Sequence, residues 1–302
     1  MWVAEIEQTD RAPFKGDLPF EISSVADIKF LRELSIWSVV VDAPTNVAVR
    51  QPSVSYDSHR REIAANFSAT SIAQARRVVE EIRPYLDGVL LNVARGHGIP
   101  TAWVNDIATK VEGAALSNKS ALLSLLKLRG KDTGTFLHSV SVSAMMVVFG
   151  RLLRLPSHLI RDLAIGGLVH DIGKMVLPRS ILQSTGKLTP AEITIVQTHP
   201  GEGAALVGRM QGIRKPAVEI TLYHHERFDG SGYPSGLAGD DIPFVARIAA
   251  ICDVYDAMTS VRPYKTAFSK SDAIRLMLES NGHFDPLLLK EFVSKMDIEQ
   301  TL

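Results

Sequence analysis

The spacing of apolar residues in this chain changes after the first fifty positions. Residues 2–6 alternate apolar and polar side chains, and residues 36–42 form a β-branched run that ends before Pro44, so both segments are predicted strands. Between them Ser24 precedes apolar residues at helical spacing, which predicts a short capped helix. The pattern therefore predicts a small α+β domain over residues 1–50.

A polar, irregular sequence follows the second predicted strand, and helical periodicity dominates after it. We predict a linker and a helical connection over residues 51–117, with Pro84 kinking or resetting the helix that starts near residue 70. His59 lies in the polar stretch beside two arginines, which predicts a solvated side chain. Residues 118–302 are predicted to be helices joined by short loops, so the fold class is mainly α.

Composition narrows the classes of protein that fit this pattern. The 302 residues are enough for two domains with separate cores. Because 33 basic residues balance 33 acidic ones, broad non-specific binding to nucleic acid or membrane is disfavoured, and an anionic ligand needs a local cluster of cations. The single cysteine, Cys252, suits a reducing compartment, and no apolar run approaches the roughly 20 residues of a membrane helix. We expect a soluble, cytoplasmic protein without a signal peptide.

The stretch from Gly166 to Pro178 carries the first recognisable chemistry. An apolar helical approach delivers His170 and Asp171 side by side, and Lys174 follows three residues later. An imidazole nitrogen and a carboxylate oxygen suit one borderline metal ion, and the second carboxylate oxygen can bridge to another ion. For the dipeptide alone, a buried hydrogen-bonded pair is the alternative, so the interpretation depends on further ligands elsewhere.

Further residues of the ligand type fall at predicted helix ends in the same region. His224 and His225 can serve two neighbouring ions, because adjacent helical residues point about 100° apart. Asp253 and Asp256 lie in a strongly apolar helix, where an unpaired carboxylate is costly. The candidate ligands are His138, His170, Asp171, His199, His224, His225 and Asp253. This set suffices for two ions and leaves positions open for water and substrate.

A glycine-rich loop and two cations follow the histidine pair. Gly232, Tyr233 and Pro234 predict a tight loop that lets backbone approach another element closely, although an ordinary surface turn is the alternative. Arg262 and Lys265 add positive charge just after the helix that carries the two aspartates. The predicted site thus combines metal ligands with groups suited to an anionic substrate.

In order and spacing, these motifs resemble those of the HD-GYP phosphodiesterases, a branch of the HD metal-dependent phosphohydrolase superfamily. The resemblance covers roughly residues 120–292, and the first part of the chain more weakly resembles the DUF3391 domain. It implies an all-helical HD-GYP bundle over residues 118–302, preceded by the small α+β domain. The motifs that carry it are His170-Asp171 with Gly173-Lys174, His199-Pro200, His224-His225-Glu226, Asp229 to Pro234, Asp253 to Ala257 and Arg262 to Lys265.

The same resemblance implies a division of the ligands between two metal ions. One ion would be held by His138, His170, Asp171 and Asp253. A second would share Asp171 and be held by His199, His224 and His225. A glutamate that binds a third metal in some members is replaced here by Gly134, so we predict a binuclear centre, with iron or manganese as the divalent metal.

Substrate contacts and function are also implied by the resemblance. Lys174 would contact the scissile phosphate, while Asp256, Arg262 and Lys265 would contact a guanine or the nucleotide backbone. The implied reaction is hydrolysis of cyclic di-GMP to linear pGpG by water activated at the two ions, and continuation to GMP stays open.

Several alternatives to this function stay open at the level of the sequence. They are a non-catalytic receptor for cyclic di-GMP or for a diguanylate cyclase partner, a phosphodiesterase for cyclic GMP-AMP, and another HD-type phosphohydrolase. The first domain is predicted to be regulatory or an interaction surface, and the sequence does not indicate the oligomeric state.

Overall fold

The computed structural model describes residues 53–129, 134–182, 188–262 and 266–296, together with three strands near the start of the chain. The chain divides into two compact units, residues 1–51 and 52–302. In the first unit, β1 (Trp2–Gln8) pairs antiparallel with both β2 (Phe20–Glu21) and β3 (Ile36–Asp42). The two strands predicted from the sequence are therefore confirmed, and the helix predicted between them lies outside the described residues.

The second unit is a bundle of helices joined by short loops. None of the described helices combines the length and the apolar character that a membrane span requires. The helices are α1 (Tyr56–Asn66), α2 (Ala69–Ala94), α3 (Thr101–Ser117), α4 (Lys119–Leu126), α5 (Gly134–Leu152), α6 (Ser157–Val169), α7 (Arg179–Leu182), α8 (Pro190–Val196), α9 (His199–Val207), α10 (Lys215–Tyr223), α11 (Phe244–Thr259), α12 (Lys270–Glu279) and α13 (Pro286–Lys295). Short 3₁₀ turns occupy Ile172–Val176 and Gly239–Asp241.

Helix α1 lies where the sequence predicted a linker, so that prediction was wrong. A capping box starts the helix: Ser55 Oγ accepts from the Ser58 N–H at 3.1 Å, and Ser58 Oγ accepts from the Ser55 N–H at 2.9 Å. The prediction of a solvated His59 was also wrong, because its side chain is buried and its Nε2 lies 3.0 Å from the carbonyl oxygen of Ser124. The contact with Ser124 on α4 stabilises this polar segment, and the local sequence pattern gives no sign of that contact.

Pro84 does not end or reset α2, which runs unbroken through it to Ala94. Proline removes one helical N–H and frees one carbonyl. Pro84 lies on the exposed side of the helix, whereas Ile82, Leu86 and Val89 are fully buried on the other side. Because the freed carbonyl can be hydrated and the apolar side stays packed, the helix continues.

Helix α5 lies at the centre of the second unit. Every side chain from Val140 to Phe149 is buried, as expected for a helix that is apolar on all sides. Its backbone closely approaches α6, because a Cβ atom on Gly167 would lie only 2.6 Å from Ser143 Cα. This close packing sets the position of the C-terminal end of α6 relative to α5.

We predict that Phe292→Ala destabilises the second unit strongly. Phe292 is fully buried, and its ring makes edge contacts with Phe149 and Tyr255 at centroid distances of 5.2 and 5.3 Å. Removing so large a buried ring leaves a cavity and costs about 3–5 kcal/mol of unfolding free energy, measurable by chemical denaturation. Leu287→Ala on the same helix is the control, because Leu287 is 75% exposed. Equal losses in the two variants would contradict the prediction.

Candidate metal centre

Five helices and the turns beside them bring the seven predicted ligands into one buried space. The contributing positions are the second turn of α5, the C-terminal end of α6, the first residue of α9, the end of α10 and the interior of α11. They supply, in that order, His138, then His170 and Asp171, His199, His224 and His225, and Asp253. Residues that are 115 positions apart in the sequence therefore meet, as His138 and Asp253 do at 3.0 Å between Nε2 and Oδ1.

Potential ligand atoms form two groups, in each of which all the atoms lie within 4.8 Å of one another. The first group is His138, His170 and Asp171, and the second is Asp171, His199, His224 and His225. Asp253 adjoins the first group, since its Oδ1 also lies 3.9 Å from His170 Nε2. Both groups contain Asp171, so this carboxylate is placed to bridge them.

The two oxygens of Asp171 face different histidines. Its Oδ1 lies 3.3 Å from His199 Nε2 and 3.7 Å from His224 Nε2. Its Oδ2 lies 3.6 Å from His170 Nε2 and 3.8 Å from His138 Nε2. A carboxylate arranged in this way can donate one oxygen to each of two ions.

Backbone carbonyls determine which ring nitrogen carries the proton in three of the histidines. The Nδ1 atoms of His170, His199 and His224 donate to the carbonyl three residues earlier, at 2.9, 2.7 and 3.0 Å respectively. Because a carbonyl can only accept, each neutral ring presents an Nε2 lone pair to the cluster. This is the outer hydrogen bond that metal-bound histidines usually make.

Divalent ions would satisfy the nitrogen and oxygen lone pairs of the cluster that receive no hydrogen bond from the protein. His199 Nε2 and His224 Nε2 lie 3.4 Å apart, so two lone pairs face each other. Buried His170 Nε2 and Asp171 Oδ1 have no hydrogen-bond partner among the described residues. Buried acceptors without partners are costly, and a cation between them removes both the repulsion and the unsatisfied state.

The electrostatics of the cluster also favour the forms that bind metal. Burial lowers the pKa of His170 to about 4 and that of His225 to about 2. Burial alone raises the pKa of Asp171, but the neighbouring His170 and the Lys174 ammonium outweigh it and hold that pKa well below its usual value. Burial is likewise outweighed at Asp253, whose pKa His138 lowers strongly. Neutral imidazoles beside ionised carboxylates are the ligand forms.

Asp256 does not have the position predicted for a substrate contact. It is fully buried, and its Oδ1 accepts from Ser141 Oγ at 2.6 Å and from Ser260 Oγ at 3.2 Å. Its Oδ2 lies 2.8 Å from His138 Nδ1 and pairs with buried Arg129. Because both oxygens are used inside the protein, Asp256 cannot reach a nucleotide and instead orients the His138 ring so that Nε2 faces the cluster.

Sequence reasoning missed Arg129 and Ser141, which hold Asp256 in place. Arg129 gave no motif signal, because its partner lies 127 residues further along the chain. Ser141 is one turn from His138 on α5, and a hydroxyl in so apolar a helix was the available sign that a buried polar partner exists.

Lys174 extends the cluster toward its open side. Its Nζ donates to Asp171 Oδ2 at 2.7 Å, and its side chain is 30% exposed. Arg262 is partly buried just beyond the end of α11, while Lys265 lies outside the described residues. At least one cation is therefore placed where an anionic group could approach the ligands.

The tyrosine loop covers one side of the second ligand group. The Tyr233 ring stacks on His225 with centroids 4.7 Å apart. Gly232 has no room for a side chain, because a Cβ would lie 2.5 Å from Glu226 Cα and 2.6 Å from the His225 carbonyl oxygen. Buried Glu226 accepts from the N–H groups of Ser235 and Leu237 at 2.7 and 3.1 Å, which anchors the loop.

A helical bundle with a buried histidine and aspartate cluster of this kind defines a metal-binding protein of the HD type. The chain belongs to the HD domain family, whose model matches residues 89–288. A solved HD-GYP-type protein from Bdellovibrio bacteriovorus shares the fold, with a TM-score of 0.61, 18% identity, and coverage of 80% of this chain and 77% of that one.

Several curated relatives are named as phosphodiesterases of cyclic dinucleotides. A cyclic di-GMP phosphodiesterase of Pseudomonas aeruginosa is 37% identical over 95% of this chain and 71% of its own length. A cyclic di-GMP phosphodiesterase response regulator of Xanthomonas campestris is 37% identical over 59% of this chain and 47% of its own. A 3'3'-cGAMP-specific phosphodiesterase of Vibrio cholerae is 35% identical over 58% of this chain and 34% of its own.

We predict that Asp256→Asn weakens metal binding without removing a ligand. Both carboxylate oxygens accept in the wild type, Oδ1 from Ser141 and Ser260 and Oδ2 from Arg129 and His138, whereas an amide has only one accepting atom and no negative charge. The hydrogen bonds that orient the His138 ring are therefore weakened. Loss of an outer hydrogen bond of this kind lowers metal affinity about 10–100-fold, measurable by competition with a chelating dye. Asp240→Asn is the control, because Asp240 is 92% exposed on its side chain. Unchanged affinity in Asp256→Asn would remove the positioning role.

We also predict that Gly173→Ala separates Asp171 from His199. A Cβ on Gly173 would overlap the His199 carbonyl oxygen and lie 2.5 Å from the Gly203 backbone nitrogen, so the 3₁₀ turn must move away from α9. The second ligand group then loses its bridge, and elemental analysis should find less metal per chain. Gly201→Ala on α9 should retain full metal content, since the space around Gly201 is open.

Proposed function

We propose that this protein is a metal-dependent phosphodiesterase that hydrolyses cyclic di-GMP to linear pGpG. The observation that carries the proposal is the position of Asp171, whose two oxygens face two separate groups of histidines. The family and the names of the relatives support the same reaction class. A shared carboxylate between two ligand groups is typical of centres that cleave phosphate esters with two ions.

The proposed cofactors are two divalent ions, with iron or manganese as their identity. The first ion would be held by His138, His170, Asp171 and Asp253. The second would be held by Asp171, His199, His224 and His225. Divalent ions bound there would supply Lewis acidity toward the phosphoryl oxygens and activate water as the nucleophile.

The residues of the chain itself bind and orient the diester. Lys174 lies beside the bridging carboxylate and can follow the negative charge that develops on the scissile phosphate. The Tyr233 ring covers His225 and restricts water on that side of the second ligand group. Arg262 and Lys265 are proposed to bind the nucleotide, whereas Asp256 is proposed only to position His138.

The glycine at position 134 supports the proposed product, because the resemblance implies a metal-binding glutamate there in members with a third metal. Helix α5 begins at Gly134, one turn before His138, so that position contributes no ligand side chain. A binuclear centre that stops at pGpG is therefore the proposed outcome, and release of GMP in the assay would contradict it.

Cyclic GMP-AMP is the second candidate substrate, because one relative is named for specificity toward it. A receptor that binds a cyclic dinucleotide without turnover is a different class of function. The unpartnered buried acceptors, His170 Nε2 and Asp171 Oδ1, favour hydrolysis over that class, since a receptor does not need them. A diguanylate cyclase partner, a regulatory role for residues 1–50 and a cytoplasmic location stay predictions.

We predict that the metal-loaded protein cleaves cyclic di-GMP and that Lys174→Met lowers kcat about 10²–10³-fold, because a preorganised charge at the developing oxyanion is lost. Asp171→Ala should abolish turnover together with metal binding. Lys215→Met is the control, since the Lys215 side chain is 86% exposed. Chromatography of cyclic di-GMP, cyclic GMP-AMP and pGpG digests identifies substrate and product. Tight binding of cyclic di-GMP with no cleavage under either metal would establish the receptor instead.

A further inference from the structure

A cavity of about 180 Å³ lies away from the metal centre, among α4, α5, α11 and α12. We call it the α4–α5 cavity. None of the seven candidate metal ligands lines it. Leu123 on α4 and Met145 and Val148 on α5 form an apolar wall, and exposed Ser120 marks the side that opens to solvent. The proposed hydrolysis gives this space no role.

A largely buried cation lines this cavity. Lys127 is only 6% exposed. Its Nζ lies 4.7 Å from the centroid of the Tyr255 ring. Burial lowers the pKa of Lys127 to about 8, so most of the ammonium is still protonated at neutral pH. Burying a charge without an anionic partner is costly.

Three of the residues that line the cavity are lysines. Lys119 and Lys270 line it together with Lys127, and its lining contains no carboxylate within the part of the chain described. Glu62 lies 3.7 Å from Lys270 and partly raises the Lys127 pKa. Glu62 also contacts His59 at 3.1 Å, so its charge is shared. An anion entering the cavity therefore meets the positive charge of Lys127.

We propose that the α4–α5 cavity binds a small organic carboxylate with a compact apolar body. The carboxylate pairs with Lys127, and the apolar body packs against Leu123, Met145 and Val148. An apolar cavity of about 150 Å³ is enough to hold benzene, so the space suits a ring of that size. The apolar wall favours such an anion over a fully hydrated inorganic ion. This proposal does not depend on the proposed hydrolysis.

Benzoate and its neutral analogue benzamide test the proposal on the full metal-loaded chain. Calorimetric titration should show saturable binding of one benzoate per chain. Benzamide should bind at least about tenfold more weakly, because it cannot form the charged pair with Lys127. Equal affinity for the two compounds, or no benzoate binding, would overturn the proposal. Lys127-dependent binding of inorganic phosphate without benzoate binding would overturn it as well.

Matched variants assign the site and separate it from the metal centre. Lys127→Met should weaken benzoate binding about tenfold or more, while Lys127→Arg should retain it. Lys290→Met is the control, because Lys290 is exposed and lies outside the cavity lining. Benzoate binding should survive in Asp171→Ala, and its loss there would place benzoate on the metals and overturn the proposal. If Lys127→Met does not fold, the benzoate and benzamide comparison on the wild type decides.

Discussion

Mutual repulsion among buried acceptors is the constraint on which the structure of the second unit depends. His199 and His224 turn lone pairs toward each other at 3.4 Å, and Asp171 adds a negative charge beside them. Such a group cannot be buried alone at low cost. Burial of this group becomes favourable when cations bind between its acceptors. The fold therefore holds these side chains together for a function other than stability.

Backbone and side-chain partners keep the ligands in place before any ion arrives. Three histidine rings are oriented by carbonyls three residues earlier, and the fourth, His138, is oriented by Asp256. Arg129 compensates the buried Asp256 charge from a segment far away in the sequence. Because the donors are already arranged, little conformational entropy is lost when ions bind, and the geometry selects for a compact divalent pair.

Local charge, more than net charge, determines what this protein can bind. The chain is neutral overall, yet Lys174 faces the bridging carboxylate and Lys127 lines a separate, partly apolar cavity. The first cation is partly exposed and suited to a substrate phosphate, whereas the second is buried beside an aromatic ring. The two sites therefore differ in solvation, which favours a large charged ligand at one and a small partly apolar anion at the other.

The sequence by itself determined the helical class and the types and order of the seven candidate ligands, because side-chain chemistry and helix signals are local. Tertiary structure alone decided the rest. The polar segment around His59 is a helix, and α2 continues past Pro84. The Asp256 side chain is buried inside the protein. At His59 and Asp256 the deciding group comes from elsewhere in the fold, as Arg129 does at a separation of 127 residues, and such contacts leave no periodic trace in the sequence.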